Sequence, residues 1–184
     1  MLLWKLRLWW YSTDKAMLAF GVFFLAVLGA LGFAASLVIG HRDAQHAKLR
    51  EFHARSLDCL ARNVYYEARG ESRAGQYAVA EVTMNRKASP HYPKTVCEVV
   101  YQKNWDSIRK RHVGAFSWTE FEALDEPAGE AWARAIRVAE DVYYQRRPPM
   151  LPGSVLHFHA NYVRPDWSKE RQRVAKIGKH VFYR

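Results

Sequence analysis

Cysteine is scarce in this chain: Cys59 and Cys97 are the only two among 184 residues, and they do not form a Cys-x-x-Cys pair. A zinc ribbon or a dithiol redox centre needs closely spaced thiols, so both are excluded. No His-Glu-x-x-His helix occurs, and no glycine-rich loop that would cradle phosphates. Nucleotide chemistry therefore has no scaffold. Ser117, in "AFSWT", lacks the flanking glycines of the GxSxG nucleophile turn. Internal repeats and low-complexity tracts are missing as well.

Charge is also missing from one long stretch. Residues 16–40, "AMLAFGVFFLAVLGALGFAASLVIG", contain no Asp, Glu, Lys or Arg, which exceeds the roughly 20 apolar residues that cross a bilayer as a helix. We read a signal anchor that stays attached, with residues 1–15 as a cytoplasmic N-terminus and the remainder exported. A cleaved signal peptide is the competing reading, with Gly32-Phe33-Ala34 before Ala35 as its processing site. Trp4, Trp9, Trp10 and Tyr11 suit an interfacial aromatic belt. Basic residues flank both ends of the span, so the positive-inside rule gives no orientation. The expected location is the inner membrane, with the folded part in the periplasm or cell-wall space.

Residues 41–55 are polar and free of Pro and Gly, as in a helical stalk. Residues 56–184 suffice for one compact domain. They carry 21 Lys+Arg against 15 Asp+Glu, a net +6, which suits an anionic polymer: nucleic acid, anionic lipid or cell-wall glycan. In an oxidising compartment Cys59 and Cys97 are expected to form one disulfide, two buried thiols being the alternative.

Ser56 reads as an N-cap with Asp58 in the first turn. Leu57, Leu60, Ala61, Val64 and Ala68 recur at helical spacing, and Gly70 is placed to end the helix. A second helix is expected over 75–87. Thr95 to Glu98 reads as a capping box, residues 103–121 as an irregular surface loop, and 127–145 as a strong amphipathic helix. "SVLHFHA" and "RVAKIGKHVFYR" read as strands, the latter turning near Gly178. The fold class is α+β: a mainly helical domain with a small antiparallel sheet, preceded by one transmembrane helix.

Glu67 stands at the border of the first apolar face and near that helix's C-terminus. Burial and the negative end of the helix dipole both disfavour a carboxylate and raise its pKa. A carboxyl protonated near neutrality is what a general acid requires. A solvated Glu is the plainer alternative, and Arg69 beside it would lower the pKa again if the two paired. Glu71 is the obvious second carboxylate, while Glu81, Asp106 and Glu120 read as surface charges. His157 and His159 share a strand face. With His180 on a neighbouring strand they are a weak candidate for zinc, substrate contact and packing being the stronger reading.

Several ordered stretches, "LARNVYYEARGESRAGQYAVAEVTMNR", "YPKTVCEVVYQ", "FSWT", "HFHANYVRPDW" and "KIGKHVFYR", together resemble the SleB/CwlJ-type cell-wall hydrolases. The likeness spans nearly everything from Leu57 to Arg184. It implies a lysozyme-like domain cleaving peptidoglycan glycan strands, with Glu67 as the catalytic acid of the E-A-R-G-E motif. The implied reaction is lytic transglycosylation or muramidase hydrolysis, by a single carboxyl without metal or cofactor. Nucleic acid is not an implied partner, and no protein partner is indicated. Tyr66 beside the acid, Glu71 and Gln76 from the same motif, and Ser117, Trp118, His159, Tyr162, Trp167 and His180 from later ones are candidates to line a glycan groove. Arg86 belongs to the motif too, and an Arg86–Glu71 ion pair is one reading of it. The membrane span and "GAFSWT" depart from the spore enzymes, so ordinary wall remodelling is expected rather than spore-cortex specificity. An amidase cutting the muramoyl–peptide bond and a non-catalytic wall-binding scaffold are the alternatives.

Overall fold

The computed structural model describes Arg7, residues 15–107 and residues 109–184. The aromatic belt expected at Trp4, Trp9, Trp10 and Tyr11 lies outside these. The chain forms two compact units, Met1–Arg50 and Glu51–Arg184.

A single helix, α1, runs from Lys15 to Ala68. It is the one helix among the described residues that is long and apolar enough to cross a membrane, and its apolar window has a mean hydropathy of 2.6 with no residue buried. Ser56 is buried inside α1 and does not cap a new helix. Residues 41–69 contain no Pro or Gly, so nothing interrupts the hydrogen-bond ladder there. The helix ends two residues before Gly70, as expected, and Gly70 itself is not in the left-handed conformation. The helix end is closed by bonds from Arg69 N to Tyr65 O and from Glu71 N to Ala68 O.

In the second unit, helix α2 covers Arg73–Ala88, capped by the Ser72 hydroxyl accepting from Gly75 N. Helix α3, Val96–Val100, opens with the expected Thr95–Glu98 capping box. Helix α4 is Gly129–Tyr143, with Ala135, Val138 and Ala139 buried along one face. Leu60, Ala61, Val64 and Tyr65 of α1 pack with Ala80 of α2, Val96 and Val100 of α3, Trp118 and the buried face of α4. Cys59 and Cys97 form a disulfide, Cα–Cα 5.3 Å, fastening α1 to α3.

Residues 103–121 are more ordered than expected. Strands β1 (Lys103–Asp106) and β2 (Arg111–Gly114) pair antiparallel, and Ser117–Glu120 forms a 3-10 turn. Both strands are short and mostly exposed, so neither shows the alternation that betrays a half-buried strand. A second sheet has the order β3 (His157–Ala160), β5 (His180–Tyr183), β4 (Arg173–Ile177), antiparallel throughout. The β4–β5 hairpin turns at Gly178, φ 59°, a conformation open to glycine without steric cost. Phe182 packs with Ala78 and Val82 of α2, with Leu151 and with Val155, which seats this sheet on the helices.

Candidate active site

Glu67 occupies the penultimate position of α1, half-buried, one turn beyond a fully buried polar junction. There Asn63 donates to Thr83 Oγ1 of α2 at 3.0 Å and accepts from Trp118 Nε1 at 2.9 Å. Thr83 in turn donates to Val79 O at 3.1 Å. Every polar group of the junction has a partner, so it fixes the rotation of α1 and the direction in which Glu67 leaves it.

No hydrogen bond or ion pair to the Glu67 carboxyl is found among the described residues. Burial pushes its pKa from 4.5 up to about 7, against an opposing pull from the Arg86 guanidinium. Arg69 is not its partner: the guanidinium lies over the Tyr65 ring, 5.0 Å from the centroid. Tyr66 stacks on Trp118 with centroids 4.7 Å apart and donates its hydroxyl to Asp125 O.

Arg86 is the cation of the site. Only 8 % exposed, it donates from Nε to Leu156 O at 2.8 Å and lies over the rings of Phe116 and Tyr92. Burial lowers its pKa. The Arg86–Glu71 ion pair is not formed. Glu71 instead accepts from Lys179 N at 2.9 Å and abuts Gly178, where a Cβ would collide with its carboxylate. It thus ties the end of α1 to the β4–β5 turn. Gln76 is buried and donates to Glu71 O.

The later motif residues divide between groove and support. His159 and Trp167 line a cleft of about 450 Å³ with Arg86, Tyr92, His157 and Pro165. His159 Nδ1 donates to Ala160 O, so in the neutral ring Nε2 accepts from the Tyr183 hydroxyl at 2.9 Å. Tyr162 is 81 % exposed and Ser117 is also exposed, whereas Trp118 is a core residue. His180 pairs opposite Ala160 and therefore lies on the sheet face away from His157 and His159, so the three imidazoles do not converge. Its ring is buried with Nδ1 unpartnered, and burial lowers its pKa.

Among the other carboxylates, Glu81 departs from expectation. It is 5 % exposed and accepts from Arg147 and from the backbone N–H groups of Met150 and Leu151, an anchor for the segment after α4. A larger cavity of about 630 Å³ lies beside this anchor and includes none of the expected groove residues. Glu120 is bound by Arg111 and by Gly114 N, and Asp106 accepts from Arg109. Sequence reasoning did not single out the Asn63–Thr83–Trp118 junction, Tyr92, or the part played by Arg86. For Arg86 a signal existed: it continues the Val79, Val82 stripe of α2, where an arginine has to be accommodated by the core.

A family model described as Cell Wall Hydrolase matches residues 70–183, with Glu67 just ahead of the matched segment. Spore cortex-lytic enzymes of Halalkalibacterium halodurans and Bacillus subtilis are each 29% identical to the chain over 127 residues, 68% and 67% of it. The chain spans about a third of the length of these relatives, 34% and 35%. The catalytic domain of the germination-specific lytic transglycosylase SleB from Bacillus anthracis superposes with a TM-score of 0.52 at 25% identity, over 70% of this chain and 93% of that one. The Bacillus cereus SleB catalytic domain gives 0.50 at 27%, over 70% and 89%. With most of the second unit matched in sequence and fold, the chain belongs to the cell wall hydrolase family, of SleB/CwlJ type.

Proposed function

We propose that the protein is a membrane-anchored, peptidoglycan-cleaving lytic transglycosylase in which Glu67 is the single general acid and base. Residues 16–40 anchor it in the inner membrane, residues 41–55 form the linker, and residues 56–184 act on the wall from the periplasmic side. The observation that carries the reading is the Glu67 carboxyl itself: half-buried, without a partner among the described residues, and with a pKa of about 7. Such a group is protonated often enough at neutral pH to donate, and ionises readily enough to accept afterwards.

The carboxyl gives its proton to the glycosidic oxygen as the bond from muramoyl C1 to that oxygen breaks. The resulting carboxylate then removes the proton of the muramoyl C6 hydroxyl, whose oxygen closes on C1 to form a 1,6-anhydro ring. No water is consumed and Glu67 ends protonated, so one carboxyl suffices. His159 and Trp167 contribute groove wall and Tyr162 an exposed ring. Trp118, Gln76, Glu71 and His180 act as support, Tyr66 stacks on Trp118, and Ser117 offers an exposed hydroxyl.

The test is digestion of purified peptidoglycan by the protein and by Glu67→Gln, with fragments weighed by mass spectrometry. Anhydromuramoyl ends that vanish in the variant are expected. Reducing ends would mean hydrolysis, and free stem peptides released equally by both proteins would sink the glycosidase reading.

A further inference from the structure

The cleft beside Arg86 borders on a second cation, Arg171, that the acid–base chemistry does not use. Its walls, and those of an adjoining cavity of about 420 Å³ lined by Gln102 and Arg171, share Tyr92, Asn104 and His157. Arg86 and Arg171 are the fully charged groups among the lining residues, and no carboxylate is present there. Arg171 makes no ion pair among the described residues. Arg86 is more than nine-tenths buried, and of its guanidinium nitrogens only Nε has a hydrogen-bond partner among the described residues. Neither Nη is sealed off without a partner among the described residues, and Arg86 lines the cleft. The field is felt by a neighbour: burial, then Arg171, then Arg86 push the His157 pKa down to about 4. A planar guanidinium with free Nη donors matches a carboxylate in two-point contact. Trp167, on the same wall, offers a flat apolar face to a sugar ring.

We propose that this cleft is a carboxylate subsite for the lactyl group of a muramoyl residue whose stem peptide has been removed. The inference rests on the glycosidase reading for its substrate. The lactyl carboxylate is joined to C3 of the sugar ring through an ether oxygen and one carbon, a reach short enough that a ring seated against Trp167 presents it to the inner wall. Once the stem peptide is attached, that carbonyl is an amide: the anion is gone, and a peptide must occupy the place where a buried cation awaits a charge. The protein therefore acts on peptide-free glycan in preference to intact glycan. The class of reaction that must supply its substrate is hydrolysis of the muramoyl–peptide amide bond.

Two arms test this with the full-length protein. In the first, Glu67→Gln is titrated with N-acetylmuramic acid and with its lactyl carboxamide, followed by ligand-observed NMR. The acid is expected to bind at least about tenfold tighter, as charge-assisted hydrogen bonds imply. Adding Arg171→Gln, or Arg86→Lys where that protein folds, should shrink the ratio several-fold. Equal affinities, or a ratio that survives Arg171→Gln, would overturn the subsite. In the second arm, wild-type protein digests intact and amidase-stripped glycan, the stripped form being cut faster. Faster cutting of intact glycan, with a muramoyl peptide binding tighter than the free acid, would assign the cations to a stem-peptide carboxylate and refute the proposal. Failure to cut either glycan while the acid preference persists would count against the glycosidase reading and leave the subsite supported.

Discussion

Replacing Glu67 by Gln should stabilise the second unit above about pH 4.5, the value of the unfolded carboxyl, with the full effect reached above pH 7. Gln is close to isosteric with a protonated Glu and cannot ionise. In the folded protein burial raises the Glu67 pKa from 4.5 to about 7. Between those values the native state holds more protons than the unfolded chain, so stability falls as pH rises through that window. At about 1.4 kcal/mol per pKa unit, the ionised carboxylate costs the fold about 3 kcal/mol above pH 7. Below pH 4.5 both states are protonated and the penalty vanishes. Urea unfolding of the Glu51–Arg184 unit, followed by tryptophan fluorescence, should therefore give matching midpoints for the two proteins near pH 4. The variant should lead increasingly from pH 5 to 8. The same titration predicts that wild-type turnover falls about tenfold per pH unit above about 7, since the acid form is being lost. A stability difference that is flat in pH would refute the claim that Glu67 is held as a near-neutral acid, whatever the variant does to activity.

Three further outcomes follow from the packing. Asn63→Ala leaves the buried Trp118 Nε1–H and Thr83 hydroxyl without Asn63 and should cost about 2–4 kcal/mol in the same urea assay. Conservative Asn63→Asp should not restore it, because a carboxylate cannot donate to Thr83. Reducing or replacing Cys59–Cys97, which closes a loop of sequence separation 38, should lower stability by about 4 kcal/mol by the chain-entropy relation, with a matching fall in thermal midpoint under reductant. Arg69→Ala should leave the midpoint of the pH–activity profile in place, since that guanidinium rests on Tyr65. An upward shift by half a unit would mean that Arg69 does act on Glu67.

The helical part of the fold was legible because it is amphipathic and strongly punctuated. Pro148-Pro149 closes the α4 region, Thr95 and Glu98 open α3, and Gly178 turns the last hairpin. Strands β1 and β2 were not legible: four-residue strands with mostly exposed side chains have no burial pattern to read. The α1 boundary was misread at Ser56, since a serine fits an N-cap locally and only tertiary packing shows it to be inside a longer helix. Glu67 could be suspected from its place on the helix wheel and near the helix end. Whether Arg69 neutralised it could not, because Arg69 follows Ala68, the last residue of α1, where helix geometry no longer fixes a side chain's direction. Glu81 shows the reverse limit: a buried carboxylate satisfied by two backbone N–H groups and an arginine distant in sequence leaves no local trace.

Arg86 and burial act on Glu67 in opposite directions, and the balance is what the proposed cycle requires. Burial alone would push the carboxyl higher than the value it has with Arg86 nearby, and a carboxyl held more firmly protonated is a poorer base. An arginine in direct contact would do the opposite, holding it ionised at every physiological pH. The structure places Arg86 outside ion-pair contact, held back by its bond to Leu156 O and by the rings of Phe116 and Tyr92. From there its charge offsets part of the burial effect without forming a bond that would have to break on each turnover. The motif therefore needs more than a Glu and an Arg at suitable spacing. In the proposed cycle it needs the backbone just before β3 and two aromatic rings to keep the pair apart, which gives residues as remote as Phe116 and Leu156 a positioning role toward a carboxyl on α1.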